Sequence, residues 1–243
     1  MKNFILIFTD PILFIKKLIG KVKRSQIYKL YILRDDQEKE LMRWFRENND
    51  DNSLRFNYPD LNEKSIVFDL GGYKGDFAYY IHEKYKCKVY LFEPHPNFYA
   101  HCLNRFMNND KITVLNYGLL DKDGEFKLTD GKDGSSFYTN PNLKITQEIK
   151  CKVKEFFEVL EELQISEIDL MKINIEGGEY PLLQHISSKL KLGLIKQYQI
   201  QFHKWIKNSA SMRKNISSKL AKTHIRTWCY SFVWENWKKI EDS

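Results

Sequence analysis

The feature that most constrains the fold is a short apolar segment that runs directly into a glycine-rich turn and a helix. Residues 66–70 are apolar except for Asp69, glycines follow at positions 71, 72 and 75, and Phe77 and Ile81 have helical spacing. Open parallel sheets bind ligands where a strand ends in such a turn. The segment therefore predicts an α/β fold with a ligand site at the carboxyl end of its first strand.

The alternation of strands and helices continues along the chain. Apolar segments that predict strands end near residues 92, 115, 175, 202 and 233, with helical patterns between most of them. This order predicts a mostly parallel sheet with helices on both faces. Residues 121–154 depart from it, because Asp123-Gly124 is typical of a tight turn and Ser135 and Ser136 are expected in a loop. A final hairpin is expected to turn at Glu235-Asn236.

Residues 1–60 are predicted to form a helical extension of a main domain at 61–243. The extension includes a predicted helix from Asp36 to about Asn48 and, before it, an apolar stretch followed by five basic residues between positions 16 and 24. The apolar stretch is interrupted at Asp10 and is shorter than the roughly 20 residues that span a membrane, so the protein is expected in the cytoplasm. The basic amphipathic segment would either lie on an anionic membrane surface or pack on the main domain or a second subunit.

Composition limits the partners without naming one. A formal net charge of +7 fits a polyanion, an anionic membrane or an acidic substrate, and equally a solvated lysine-rich surface. The four cysteines are far apart, which is typical of free thiols and not of a disulfide framework or a zinc site. No metal site is predicted.

Two carboxylates at the ends of neighbouring strands indicate the ligand. The glycine pattern of dinucleotide sites would need glycine where the chain has Leu70, and Asp69 is a poor neighbour for a pyrophosphate. A carboxylate there suits the ammonium and sulfonium groups of S-adenosylmethionine. Glu93, 24 residues later, can accept hydrogen bonds from both ribose hydroxyls. The alternative is a simple turn beside a solvated strand end, but the two features in this order favour the cofactor.

Polar residues also follow one another toward the ends of two later strands. Lys172, Asn174 and Glu176 alternate with apolar residues, and Gln201 and His203 do the same on the next strand. Central parallel strands are ordinarily apolar on both faces, and buried polar groups are costly unless they are paired or serve a site. These strand ends therefore predict an acceptor pocket.

Together these motifs resemble the FkbM-type methyltransferases, a branch of the class I S-adenosylmethionine-dependent enzymes. The resemblance covers about residues 63–204, and its most specific part is the Lys-x-x-x-Glu-Gly segment at 172–177. It implies a Rossmann-like fold with a seven-stranded sheet, and O-methylation of a hydroxyl on a sugar, a bacterial surface glycan or a secondary metabolite. The cofactor residues that it implies are Asp69, Gly71, Gly72, Tyr73, Gly75, Glu93, Pro94, Asn116, Gly118 and Asn174. The chain departs from the family pattern at Lys74, Asn174 and Gln201.

Two residues are the candidates for proton transfer: His203 as the base, and Glu176 as its partner or as a ligand of acceptor hydroxyls. The alternatives are a structural histidine at a strand end and a carboxylate at the start of a helix. Further candidates for contact with the substrate are Lys172, Ser135, Ser136, Glu179 and Gln201. For Lys172 an ion pair with Glu176 or Asp69 is the alternative, and for the two serines a simple turn.

The sequence therefore favours an O-methyltransferase acting on a sugar or glycan hydroxyl. The net charge leaves RNA methylation as a second hypothesis, less favoured than the first. Asn174 and Gln201 leave a non-catalytic S-adenosylmethionine-binding module as a third. DNA is not expected as a partner, and membrane contact or dimerisation through the N-terminal helices is left open.

Overall fold

The structure is a computed structural model that describes residues 36–47, 54–131, 134–136 and 148–241. Its strands are β1 (Ile66–Leu70), β2 (Lys88–Phe92), β3 (Ile112–Leu115), β4 (Gly118–Leu120), β5 (Gly124–Gly131), β6 (Gly134–Ser136), β7 (Glu148–Glu155), β8 (Ile168–Ile173), β9 (Ile195–Ile200), β10 (His224–Tyr230) and β11 (Trp234–Lys239). Seven of them form the main sheet, in the order β3-β2-β1-β8-β9-β11-β10. β11 runs antiparallel to both neighbours, and the other pairs are parallel. This confirms the mostly parallel, Rossmann-like sheet.

Helices cover both faces of the main sheet, as predicted. They are α1 (Asp36–Arg46), α2 (Asp76–Tyr85), α3 (Pro96–Phe106), α4 (Phe156–Glu162), α5 (Glu179–Ser188) and α6 (Ser209–Leu220), with short 3-10 turns at Leu54–Phe56 and Leu192–Leu194. On one face Phe77, Ile81 and Phe106 pack α2 and α3 on the sheet. On the other face Phe156 and Ile216 belong to the cluster that packs α4, α5 and α6.

A second, smaller sheet has the strand order β4-β7-β5-β6. The chain bends at residues 121–122 and β5 begins at Gly124, close to the predicted turn. The predicted loop at Ser135 and Ser136 is wrong. These residues pair with Asp130 and Thr129 of β5, and this backbone pairing makes them strand β6.

The C-terminal hairpin turns earlier than expected. Glu235 and Asn236, predicted at the turn, lie within β11, and the chain reverses at residues 231–233. The side chains of β11 explain the difference. Glu235 forms an ion pair with Arg213 of α6, and Asn236 Nδ2 donates to Thr227 Oγ1 of β10 at 2.8 Å, so both residues are needed inside the sheet.

The helix predicted from Asp36 is present as α1. Its Trp44 is buried against the C-terminal hairpin, with ring centroids 5.0 Å from Tyr230 and 5.9 Å from Trp228. This part of the predicted extension therefore packs on the main domain. Residues 1–35, which include the predicted basic amphipathic segment, lie outside the described residues. None of the described helices is long and apolar enough to cross a membrane.

Candidate functional site

The glycine turn after β1 is bound to the end of β2. The backbone N–H groups of Gly71 and Gly72 both donate to the Phe92 carbonyl, at 3.0 and 3.3 Å. Gly71 has φ +79, and a Cβ at this position would overlap the backbone carbonyl oxygen of Asn174. Only glycine adopts this conformation and allows this approach without strain. Glycine thus has a structural role here, and it also leaves the backbone accessible to a ligand.

Glu93 connects this turn to the start of α3. Its Oε2 accepts a hydrogen bond from the Tyr73 N–H at 2.7 Å, and its Oε1 accepts one from the His95 N–H at 2.9 Å. Burial raises the pKa of Glu93 to about 7, against the lowering effect of these two N–H groups. Each carboxylate oxygen can accept a second hydrogen bond. The turn then ends at Gly75, which precedes the first residue of α2.

His95, which helps to hold Glu93, was not among the residues predicted for the site. Besides its backbone contact, its Nδ1 accepts from the Asn97 N–H at 3.2 Å and so caps α3. His95 stands between Pro94 and Pro96, and proline is favoured at the first position of a helix, directly after the N-cap. That proline spacing is the signal that could have identified it.

The other predicted nucleoside residues lie beside Glu93. The Glu93 N–H donates to the Leu115 carbonyl at 3.0 Å, which holds the ends of β2 and β3 side by side. Asn116 follows directly and is exposed, Gly118 is buried at the start of β4, and Pro94 is half-buried. The structure therefore brings these residues to one edge of the sheet, next to the glycine turn.

Asp69 is fully buried, and its countercharge is Lys172. The two side chains form an ion pair with Nζ 2.8 Å from Oδ1, and Nζ also donates to the Gly71 carbonyl at 2.7 Å. This decides which carboxylate pairs with Lys172, since Glu176 was the other candidate. The sequence had suggested the cationic groups of the cofactor as partners of Asp69, whereas the structure supplies a partner from β8. Lys172 is itself buried, and its ammonium donates to Asp69 and to the carbonyls of Leu70 and Gly71, on the side of the glycine turn.

The acceptor side is built from two loops, because β8 and β9 end earlier than predicted. Asn174 and Glu176 follow Ile173, and Gln201 and His203 follow Ile200. The Asn174 N–H donates to the Leu70 carbonyl at 3.1 Å, and the Gln201 N–H donates to the Ile173 carbonyl at 2.9 Å. These bonds fix both loops to neighbouring strand ends.

Within these loops His203 lies between two carboxylates. Its Nδ1 is 3.0 Å from Glu179 Oε1, and its Nε2 is 3.4 Å from Glu176 Oε1. The Glu176 side chain is 33% exposed, whereas Glu179 is fully buried. Glu176 has φ +51, a conformation that non-glycine residues adopt only when the surrounding structure holds them in it.

Glu179 organises this arrangement and has no exposed surface for a substrate. Its Oε1 accepts from the His203 N–H at 2.9 Å, and its Oε2 accepts from the Gly177 N–H at 2.7 Å. Both oxygens are buried and bonded within the protein, and contact of Glu179 with the substrate stays a prediction. Ser135 and Ser136 lie in β6, and contact of these serines with substrate stays a prediction.

The charges around His203 bear on its predicted role as the base. Burial alone would lower the pKa of His203, but the nearby charges of Glu176 and Glu179, with their hydrogen bonds, outweigh burial and raise the pKa to about 10. A pKa raised in this direction favours the imidazolium form at neutral pH, which donates a proton and does not accept one. Glu176, whose side chain is partly exposed, has a carboxylate that can accept a proton from a substrate.

The residues at the glycine turn fit S-adenosylmethionine. The Glu93 carboxylate keeps acceptor capacity for two ribose hydroxyls. Asn174 Oδ1, next to the turn, is buried without a hydrogen-bond partner among the described residues, and it could accept from the ammonium of the amino-acid tail. An unpaired buried acceptor is costly, so a donor from the cofactor would relieve it.

Comparison with known proteins gives one family and a set of similar folds. The sequence matches the family described as "Methyltransferase FkbM domain" over residues 69–222. No curated protein matches significantly. Similar solved structures include a protein from Clostridium thermocellum assigned as an rRNA methylase, with 9% identity, 75% of this chain and 90% of that chain covered, and a TM-score of 0.48.

Two further structures show the same level of similarity. An rRNA methylase from Streptococcus thermophilus has 12% identity, with 74% of this chain and 90% of that chain covered and a TM-score of 0.44. The SAH-bound methyltransferase PaMTH1 from Podospora anserina has 9% identity, with 93% and 87% covered and a TM-score of 0.42. At such values we draw nothing about function from these similarities. The family match covers most of the chain: the protein belongs to the FkbM family of S-adenosylmethionine-dependent methyltransferases.

Proposed function

We propose that the protein transfers a methyl group from S-adenosylmethionine to a hydroxyl oxygen of a sugar, a bacterial surface glycan or a secondary metabolite. The observation that carries this proposal is the partly exposed Glu176 carboxylate, which lies 3.4 Å from the His203 ring at the sheet edge that also holds the glycine turn. A carboxylate beside the methyl donor suits a hydroxyl acceptor, because the hydroxyl must lose its proton when its oxygen is methylated.

The cofactor supplies an activated methyl group, so the protein chiefly positions the two reactants. Glu93 would hold the ribose, and Asn174 would accept from the amino-acid tail. Glu176 would accept a hydrogen bond from the acceptor hydroxyl and take its proton as the new carbon–oxygen bond forms. His203 would act as a positioning residue, because its imidazolium holds the Glu176 carboxylate from one side while Glu179 fixes the ring from the other.

The remaining partner assignments belong to the same proposal. Gln201 is partly exposed at the end of β9 and could donate to an acceptor hydroxyl. We place the reaction in the cytoplasm, with the N-terminal segment in contact with an anionic membrane or a second subunit. RNA methylation is the second candidate, and the carboxylates at the acceptor side disfavour a phosphate-rich substrate there.

The experiment is methyl transfer from labelled S-adenosylmethionine to panels of sugars, bacterial glycans and RNA. We expect label on a glycan or sugar hydroxyl. Glu176→Gln should lower the transfer rate about 10²- to 10⁴-fold, the size of a lost general base, and leave cofactor affinity nearly unchanged. The control is Glu161→Gln, which removes an exposed carboxylate on α4. Label on RNA alone, cofactor binding without transfer to any acceptor, or a normal rate in the Glu176 variant would each contradict the proposal.

A further inference from the structure

The Asp69–Lys172 pair is a buried ion pair that the proposed chemistry leaves unused. Its side chains are 0% and 4% exposed, and it lies at the ends of β1 and β8, directly below the turn that we assign to the cofactor. We infer that Lys172 is a specificity-determining residue: by cancelling the charge of Asp69, it sets the preference of the site between the cationic methyl donor and its neutral product.

The contacts of Lys172 support this role. Its ammonium contacts Asp69 Oδ1 at 2.8 Å, the Gly71 carbonyl at 2.7 Å and the Leu70 carbonyl at 3.4 Å. All three contacts involve the end of β1 and the first residue of the turn. Lys172 thus stabilises both the conformation of the turn and the carboxylate of Asp69 beside it.

The pair is internally neutral, and this matters for methyl transfer in particular. S-adenosylmethionine carries a sulfonium charge that is lost when the methyl group leaves, and S-adenosylhomocysteine is the uncharged thioether. A lone carboxylate at Asp69 would stabilise the charged donor more than the reacting state, in which that charge is disappearing. Interactions stronger in the ground state than in the transition state slow a reaction. Lys172 removes this effect and also avoids an isolated buried carboxylate, which would be costly.

The test measures the affinities of both compounds by calorimetry and needs no acceptor, so it is independent of the proposed substrate. We define the preference as the ratio of the Kd of S-adenosylhomocysteine to the Kd of S-adenosylmethionine. Lys172→Met leaves the Asp69 charge unbalanced and should raise this ratio on the order of three- to tenfold. Asp69→Asn leaves the ammonium unbalanced and should lower the ratio by a similar factor. The double variant should return close to the original ratio.

Two controls separate this effect from damage to the fold. Lys189→Met removes an exposed lysine next to the end of α5 and should leave the ratio unchanged. Thermal unfolding without ligand reports whether each variant is folded. If a single variant does not fold, the other single variant should still shift the ratio, and the double variant should still restore it. A ratio that stays constant in the folded variants, or moves in the same direction in both single variants, would overturn the inference.

Discussion

Glu93 combines a structural and a functional role in one side chain. Its two oxygens accept N–H groups from Tyr73 and His95, so it joins the glycine turn to α3. The same oxygens are the acceptors that we assign to the ribose. Burial raises the pKa of this carboxyl from 4.5 to about 7. Its charge therefore destabilises the cofactor-free fold, although the proposed binding of the ribose uses it.

This conflict gives a prediction with a definite sign. Because the folded pKa is above the unfolded value, the stability contributed by Glu93 is present below pH 4.5 and is lost as the pH rises toward 7. In Glu93→Gln one of the two N–H groups loses its acceptor oxygen at every pH. Relative to the wild type, the free energy of unfolding of the cofactor-free variant should therefore be higher at pH 8 than at pH 5, by roughly 1–3 kcal/mol. Urea unfolding at both pH values measures this.

The same substitution should weaken cofactor binding, because an amide offers one oxygen where the carboxylate offers two. Calorimetry with S-adenosylhomocysteine is the readout. Normal binding by the variant would contradict the assignment of Glu93 to the ribose. A variant that is less stable at pH 8 than at pH 5, relative to the wild type, would contradict the claim that burial raises the pKa of Glu93.

At the scale of elements, the glycine turn is the part that the sequence predicts best. Its place after β1 follows from the apolar strand and the glycines at 71, 72 and 75. The reason for glycine at 71 could not be predicted, because it is the carbonyl of Asn174, about one hundred residues away along the chain. Only the pairing of β1 with β8 brings the two together.

Substitution of this glycine tests how strongly the turn depends on that contact. Gly71→Ala should lower the free energy of unfolding by about 2–4 kcal/mol, since the alanine would be strained at positive φ and its Cβ would meet the Asn174 carbonyl. Gly124→Ala is the matched control, because a Cβ there makes only ordinary contacts, the nearest at 3.4 Å. Chemical denaturation of both variants gives the comparison, and equal stability would contradict this role of Gly71.

At the scale of the whole molecule, the sequence predicts the strand–helix order and so the sheet, but not the contacts between distant loops. Two of the predicted site residues come together from separate strand ends. Glu179 and His203 come from different strand–helix units, and Glu179 Oε1 lies 3.0 Å from His203 Nδ1. This contact helps to raise the pKa of His203. Nothing in the sequence predicts that His203 lies between two carboxylates, so its raised pKa could not be predicted either. Glu235 and Asn236 were misplaced for a similar reason, since their partners lie on α6 and β10.

The most direct test of the whole account is a crystal structure with S-adenosylhomocysteine bound. We expect the ribose hydroxyls within hydrogen-bonding distance of Glu93 and the thioether sulfur on the side of Asn174 and Glu176. A nucleoside bound away from Glu93, or a sulfur remote from Glu176, would contradict it.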